Sequence, residues 1–389
     1  MNLRPCWVEI STRSLEDNYR FLSSLAAGDA ELLAVVKADA YGHSLELCAP
    51  AAERAGARWL GVTSVEEGVA ARAVCPAAQV LVMCGCFPGE GSAAVARRLT
   101  AVAWELWQLD ELEHAARAAG ARPLPVHLEI DTGMSRQGVG LESVAAFAAR
   151  FQASGTLRLE GVCTHLLGAD ESDGRATDAQ MALLDEALGQ IAATGLTPEW
   201  LSVGSSPSLL NGEATRIGEL AARWGMKALI RPGLALYGVA PKFVPDEPAG
   251  VAAARARLKP VLTWKTQVVG VRVVPAGAVV GYNGTFVATE PMRLALLAVG
   301  YADGLDRALG NRFSLLIRGQ RAPLVGRVSM DLAVVDVTEI EGVEAGDEVV
   351  ILGSQGDETI SADEHAEASG TIPWEVFTRI GARVRRVAV

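Results

Sequence analysis

The stretch Leu32-Leu33-Ala34-Val35-Val36-Lys37-Ala38-Asp39-Ala40-Tyr41-Gly42-His43 decides the fold. Apolar residues close on a lysine and a turn of small residues, and a segment of helical period, Leu45 to Ala55, follows. That alternation marks a βα unit. Seven further apolar runs repeat it: Trp59 to Thr63, Val80 to Cys84, Ala101 to Trp104, Val126 to Ile130, Leu159 to Thr164, Trp200 to Val203 and Leu229 to Arg231. Helical segments lie between them, among them Val65 to Val74, Asp110 to Ala119, Leu141 to Gln152, Ala176 to Ala193 and Ser206 to Asn211. Eight such units predict an α/β chain built on a (β/α)8 TIM barrel.

The pattern changes at Pro241 to Gly250, a segment bearing Pro241, Pro245 and Pro248. Beyond it strands alternate with turns: Val261 to Val273, Val279-Val280, Leu294 to Val299, Ser314 to Ile317, Ala333 to Val337, Glu348 to Leu352 and Val384 to Val389. Turn signals such as Asn283-Gly284 and Ala345-Gly346-Asp347 punctuate them. The expected organisation is a barrel domain over residues 1–245 and a mostly β domain over 246–389, with residues 1–10 pairing with the second.

Composition narrows the function. The 389 residues are 50% hydrophobic and 21% charged, which excludes disorder. A net charge of −11 with scattered Lys and Arg offers no footprint for nucleic acid. No apolar stretch reaches the length of a membrane span, and Met1-Asn2-Leu3-Arg4-Pro5 leads into Cys6-Trp7-Val8-Glu9-Ile10 without the apolar core of a signal peptide. A cytoplasmic protein is expected. The six cysteines lie mostly in apolar runs; Cys84-Gly85-Cys86 lacks a second Cys/His pair at ligand spacing, so reduced thiols and no metal are expected.

In a barrel, catalytic groups sit where strands end. Lys37 ends the first run, and it reads either as a lysine that bonds a carbonyl cofactor or as a snorkelling strand-end lysine. His127, Glu129 and Asp131 share one side of the fifth strand, which demands a polar interior or mouth. Arg136 follows a glycine-bearing turn and suits an anion or plain solvent; His165, closing the sixth run, suits an orienting role or a satisfied core histidine. The turn Gly204-Ser205-Ser206-Pro207 and the run Arg231-Pro232-Gly233-Leu234 follow the seventh and eighth strands, where barrels hold phosphate.

These residues together resemble the alanine racemase family. The run Ala34 to His43 is similar to its pyridoxal phosphate attachment motif. The likeness continues in order through Asp131-Thr132-Gly133-Met134 with Arg136, Thr164-His165, Arg231-Pro232-Gly233, Val280-Gly281-Tyr282, Gly300-Tyr301-Ala302-Asp303-Gly304 and Gly326-Arg327-Val328-Ser329-Met330-Asp331. It spans essentially the whole chain. The resemblance implies racemisation of alanine with pyridoxal 5'-phosphate, by two bases on opposite faces: Lys37, which also carries the cofactor, and Tyr282 from the β domain of a partner subunit. It implies a homodimer with shared sites. Arg231 would meet the pyridine nitrogen and His165 would link it to Tyr282. Tyr41, Ser206 and the N–H groups of Gly233 and Leu234 would hold the phosphate. Arg136 would bond the ring hydroxyl and the substrate carboxylate, with the backbone N–H of Met330 of the partner subunit near that carboxylate and Tyr301 lining the entrance.

Two departures from the family matter. Where many members carry a carbamylated lysine, this chain has Glu129, expected to pair with Arg136; and Ala382 stands where some have a phosphate-contacting tyrosine, which suggests room for serine. The competing readings are a non-catalytic pyridoxal phosphate carrier, against which the β module and Tyr282 speak, and a decarboxylase of the same fold, whose His-Gly-Ser-Gln-like loop and Cys-Asp motif are not found. A metal-dependent hydrolase would need clustered ligands, and the five histidines are widely spaced.

Overall fold

The computed structural model describes residues 4–26, 28, 30–120 and 123–389; the expected run-in from Met1 to Leu3 lies outside the described residues. The chain divides into two compact units, the larger holding residues 13–40 and 45–259, the smaller gathering the N-terminal strand with residues 41–44 and 260–389. Each of the eight expected runs is a strand. After β1 (Cys6–Ile10) come β2 (Glu31–Val35), β3 (Trp59–Val62), β4 (Gln79–Val82), β5 (Thr100–Ala103), β6 (Leu124–Glu129), β7 (Leu157–Cys163), β8 (Trp200–Ser202) and β9 (Lys227–Ile230). β2 to β9 pair in parallel and close, with Glu31 opposite Leu229 and Leu32 opposite Ile230.

These strands are buried along nearly their whole length, as a parallel sheet wrapped by helices requires. The barrel interior is packed, not hollow: Trp59 meets Trp200 edge-on with ring centroids 5.5 Å apart, and His127 lies 5.8 Å from Trp59. Helices follow the strands, and their ends are read locally; Ser64 Oγ accepts the Glu67 N–H at 3.1 Å and starts the helix Val65–Val74. No helix among the described residues is long and apolar enough to cross a membrane.

The division between units falls at 259/260, not at 245/246. Residues 246–259 stay with the barrel because Arg255 donates to Ala240 O (2.9 Å) and Pro241 O (3.1 Å), and because Asn18 both accepts from Lys259 N–H and donates to Lys259 O, each at 2.8 Å.

In the smaller unit β10 (Leu262–Val274) is the centre. It pairs antiparallel with β1, with the strand Glu348–Gln355 and with the strand Met292–Leu297, while β1 also takes the C-terminal strand Arg385–Ala388 in parallel. The unit is mostly β, with two helices, Ala362–Ser369 and Pro373–Thr378, that the strand-and-turn reading passed over.

Candidate active site

The strand ends of the barrel form one rim, and Lys37, Cys84, His165 and Arg231 follow β2, β4, β7 and β9 by one or two residues. Lys37 opens a turn of strained backbone, since Ala38, Asp39, Ala40 and Tyr41 all have positive φ, between 51° and 55°. Such a conformation costs L residues roughly 1–2 kcal/mol each. Side-chain acceptors offset it: Glu67 takes the N–H of Ala38 (2.6 Å) and of Thr63 (2.9 Å), and Asp39 takes that of Leu45 (2.7 Å). Strain held this firmly is typical of a functional site.

Arg231 and His165 meet at this rim. Arg231 Nη1 donates to Ser202 O (2.5 Å) and Ser202 Oγ (2.7 Å), and Nη2 to Thr164 O (2.7 Å), while His165 Nδ1 lies 3.4 Å from Nη2. Arg231 Nε has no partner among the described residues. The pKa of His165 is pushed down to about 3, first by burial and then by the charges of Arg231, Arg136 and Lys37. The imidazole is therefore neutral, and its Nδ1 accepts from the guanidinium. A buried net holds it there: Thr164 Oγ1 bonds Ile130 O (2.9 Å) and Thr132 Oγ1 (2.8 Å), and Gln180 Nε2 donates to Thr132 Oγ1 and His165 O, both at 3.0 Å. Ser202 and Gln180 were not among the expected residues, and nothing in their spacing singles them out; Thr132 lies in the quoted motif Asp131-Thr132-Gly133-Met134 but was given no role.

Ser206, buried after β8, accepts two N–H groups, from Gly233 and Ala235, each at 3.1 Å. Its own proton is then left to donate. The Gly233 N–H expected to face a phosphate is thus committed to Ser206, whereas Leu234 N–H finds no acceptor among the described residues. A donor-only hydroxyl, a free amide, the open Nε of Arg231 and the ammonium of Lys37 suit an anionic ring compound bearing a carbonyl. The donors fit phosphate and pyridine nitrogen, and the lysine fits the carbonyl.

The expected Glu129–Arg136 bond is not made. Glu129 Oε2 instead accepts from Gln137 Nε2 at 2.6 Å, and Arg136 is exposed with no hydrogen-bond partner among the described residues. Burial raises the Glu129 pKa, opposed first by the Gln137 bond and then by the charges of Arg231 and Arg136. His127, deeper on the same strand, faces Glu160 at 3.6 Å and belongs to the packed interior.

The remaining expected residues lie in the smaller unit. Tyr41 ends the left-handed turn and is buried. Tyr282 sits in a 3-10 turn, Tyr282–Gly284, and is 67% exposed; Tyr301 and Met330 are 43% and 54% exposed. Large side chains so placed are available to another molecule. The backbone around Tyr301 and Met330 is tied by hydrogen bonds. Asp303, wholly buried, accepts from Arg4 Nη2 (2.7 Å) and Nε (3.2 Å), Arg383 Nε (2.7 Å) and Gly300 N–H (2.9 Å). Tyr301 N–H bonds Ser329 O and Ala302 N–H bonds Met330 O, both at 3.0 Å.

Comparison with known proteins covers both units. Residues 10–241 match the family model of the alanine racemase N-terminal domain and residues 261–388 that of the C-terminal domain. An alanine racemase of Syntrophobacter fumaroxidans is 36% identical over 375 residues, 96% of this chain and 95% of the relative. The crystal structure of alanine racemase from D-cycloserine-producing Streptomyces lavendulae superposes with a TM-score of 0.88 at 34% identity, covering 100% of this chain and 98% of that one. Alanine racemase from Bartonella henselae, solved with covalently bound pyridoxal phosphate, gives a TM-score of 0.82 at 26% identity with 99% of each chain covered.

Proposed function

This chain belongs to the alanine racemase family, and from that premise we propose how it interconverts L- and D-alanine: between two bases, Lys37 and Tyr282 of the partner subunit, with pyridoxal 5'-phosphate held at the barrel rim. The convergence of Lys37, His165 and Arg231 on one rim carries the reading. Lys37 would carry the cofactor, and Ser206, Leu234 and Tyr41 would hold its phosphate, with Gly233 supporting Ser206 and not touching the anion itself. Bound there, the cofactor supplies a sink for the electron pair left when the α-proton departs.

The chain's own groups do the rest. Lys37 Nζ removes or returns the α-proton on one face and Tyr282 Oη does so on the other. A phenol near pKa 10 needs help to act as a base at neutral pH. Neutral His165, held on Arg231, would pass that help to Tyr282 of the partner subunit as a hydrogen bond. Arg231 stays protonated, so toward a pyridine nitrogen it could only donate, and that would favour returning the proton over side reactions. Arg136, with no hydrogen-bond partner among the described residues, would bind the substrate carboxylate, with the backbone N–H of Met330 of the partner subunit near it and Tyr301 at the entrance.

Sharing Tyr282 between subunits makes the enzyme a homodimer, with no role for nucleic acid or membrane. A cytoplasmic setting accords with six cysteines outside any disulfide. Its D-alanine would feed cell-wall peptidoglycan, or the reverse reaction would serve alanine catabolism, and the small side chain of Ala382 would admit serine as a minor substrate. Following L- and D-alanine by chiral chromatography tests the activity. Borohydride treatment, with the labelled peptide located by mass spectrometry, tests the attachment: label at any residue but Lys37 overturns it.

A further inference from the structure

Buried Glu129 and half-buried Gln137 form a pair that the reaction as described does not use. Glu129 ends β6. Gln137 Nε2 donates both to Glu129 Oε2 at 2.6 Å and to Met83 O at 3.2 Å, so one amide ties the segment after β4 to the end of β6. Gln137 is the immediate neighbour of Arg136 on the loop 131–138. The loop is closed at its base by Asp131 N–H to Val139 O (3.0 Å) and Val139 N–H to Glu129 O (2.8 Å). Asp131 Oδ1 folds its near limb by accepting from Gly133 (2.9 Å) and Ser135 (3.1 Å). The far limb, where Arg136 sits, has the Gln137 side chain as its tether.

Chemistry explains why an amide stands here. An ionised carboxylate only accepts, so Glu129 cannot itself bond the Met83 carbonyl; an amide NH2 has two protons and bridges both acceptors. Were Arg136 the partner of Glu129, its guanidinium would be engaged and its charge offset. With Gln137 in that place, Arg136 keeps its two-pronged donor edge for an incoming carboxylate. Arg136 stands on the loop that follows β6, on the side of the barrel where the strand ends carry Lys37, His165 and Arg231.

We propose that Gln137, anchored on Glu129 and Met83 O, is the positioning residue that presents Arg136 to the substrate carboxylate, an inference that rests on the reading of Arg136 given above. Gln137→Leu removes both anchors. In the holoenzyme, KM for alanine rises about tenfold in each direction while kcat stays nearly constant, the scale of one or two lost hydrogen bonds. The dissociation constant of propanoate, the substrate without its amino group, rises by the same factor when titrated by cofactor absorbance. Gln137→Glu, which sets two carboxylates face to face, is worse than Gln137→Leu. The exchange Glu129→Gln with Gln137→Glu restores a carboxylate–amide bond in reversed order and recovers a large part of the lost KM. Unchanged KM and propanoate affinity in Gln137→Leu, beside a raised KM in Arg136→Ala, overturn the proposal alone. Unchanged KM in Arg136→Ala overturns the underlying reading as well. Failure of the exchange to recover any KM in a protein of normal melting temperature also counts against it.

Discussion

Asp303→Asn tests whether the exposed edge carrying Tyr301 and Met330 is held by one buried carboxylate. The aspartate is wholly buried and takes four N–H donors, from Arg4 twice, Arg383 and Gly300. Asparagine keeps the shape but turns one acceptor into a donor. The two bonds on Oδ2, or the two on Oδ1, then become N–H facing N–H. Charge-assisted bonds are worth about 1.5–3 kcal/mol each, and breaking a buried ion pair from one side costs about 3–5 kcal/mol. Arg4 and Arg383 are 29% and 40% solvent-exposed and regain part of this from water, so about 3 kcal/mol is expected. The segment cannot relax inward to compensate: a Cβ on Gly300 would already stand 2.4 Å from the backbone of Ser329 and Met330. Displacement outward moves Tyr301 and Met330 together. Urea unfolding of the holoenzyme reads the stability, and steady-state kinetics read the edge, with KM for alanine rising severalfold. A loss under about 0.5 kcal/mol would refute the role of Asp303 as a hub. A full loss with unaltered KM would refute the link from hub to substrate.

Lys37→Ala and Tyr282→Phe should each abolish or cripple racemisation. Mixing the two proteins under subunit exchange should restore part of it, since one hybrid site then carries both bases; no recovery after proven exchange would sink the shared site. The buried His365, whose pKa burial pushes down to about 4, gives an acid-sensitivity prediction. Its folded pKa lies below the unfolded value near 6.5, so the unfolded chain protonates first. Stability present above pH 6.5 is lost as pH falls toward 4, by about 2 kcal/mol near pH 5. His365→Leu should flatten that slope in urea unfolding at pH 7.5 and near pH 5, and an unchanged slope would exclude the residue. Ala382→Tyr should lower kcat/KM for serine relative to alanine by a factor within the roughly 1–3 kcal/mol that one methylene-sized difference commands; an unmoved ratio means the position does not set specificity.

The barrel was legible because each of its strands is a short apolar run buried on both faces and eight of them alternate with segments of helical period. Strand-end logic also put Lys37, His165 and Arg231 at the rim, where they lie, since a polar residue closing a buried run has few places to go except the rim; their roles came from the resemblance. The helices Ala362–Ser369 and Pro373–Thr378 were missed because their mixed polar composition lacks a clear apolar stripe. Gln180 and Ser202 were missed for a different reason. Amides and hydroxyls that satisfy buried carbonyls carry no spacing signature, and only the fold reveals which backbone groups need them.

Glu129 shows how near the sequence comes and where it stops. The resemblance, with Glu129 standing where many members carry a carbamylated lysine, led to the expectation of a bond to Arg136, and the side chain that makes it is one position further on. The choice between Arg136 and Gln137 is made by backbone conformation. Ser135 adopts a left-handed φ of 56°, and Gly138 takes a φ of 118° where any Cβ would come within 2.4 Å of Asp131 N. Those two residues turn the far limb so that position 137 faces β6 and position 136 faces outward. Residue types alone do not fix that half-turn, because arginine and glutamine both satisfy a carboxylate. The outcome has a chemical consequence: the neutral partner is spent on the internal acid, and the permanent cation is kept for the ligand.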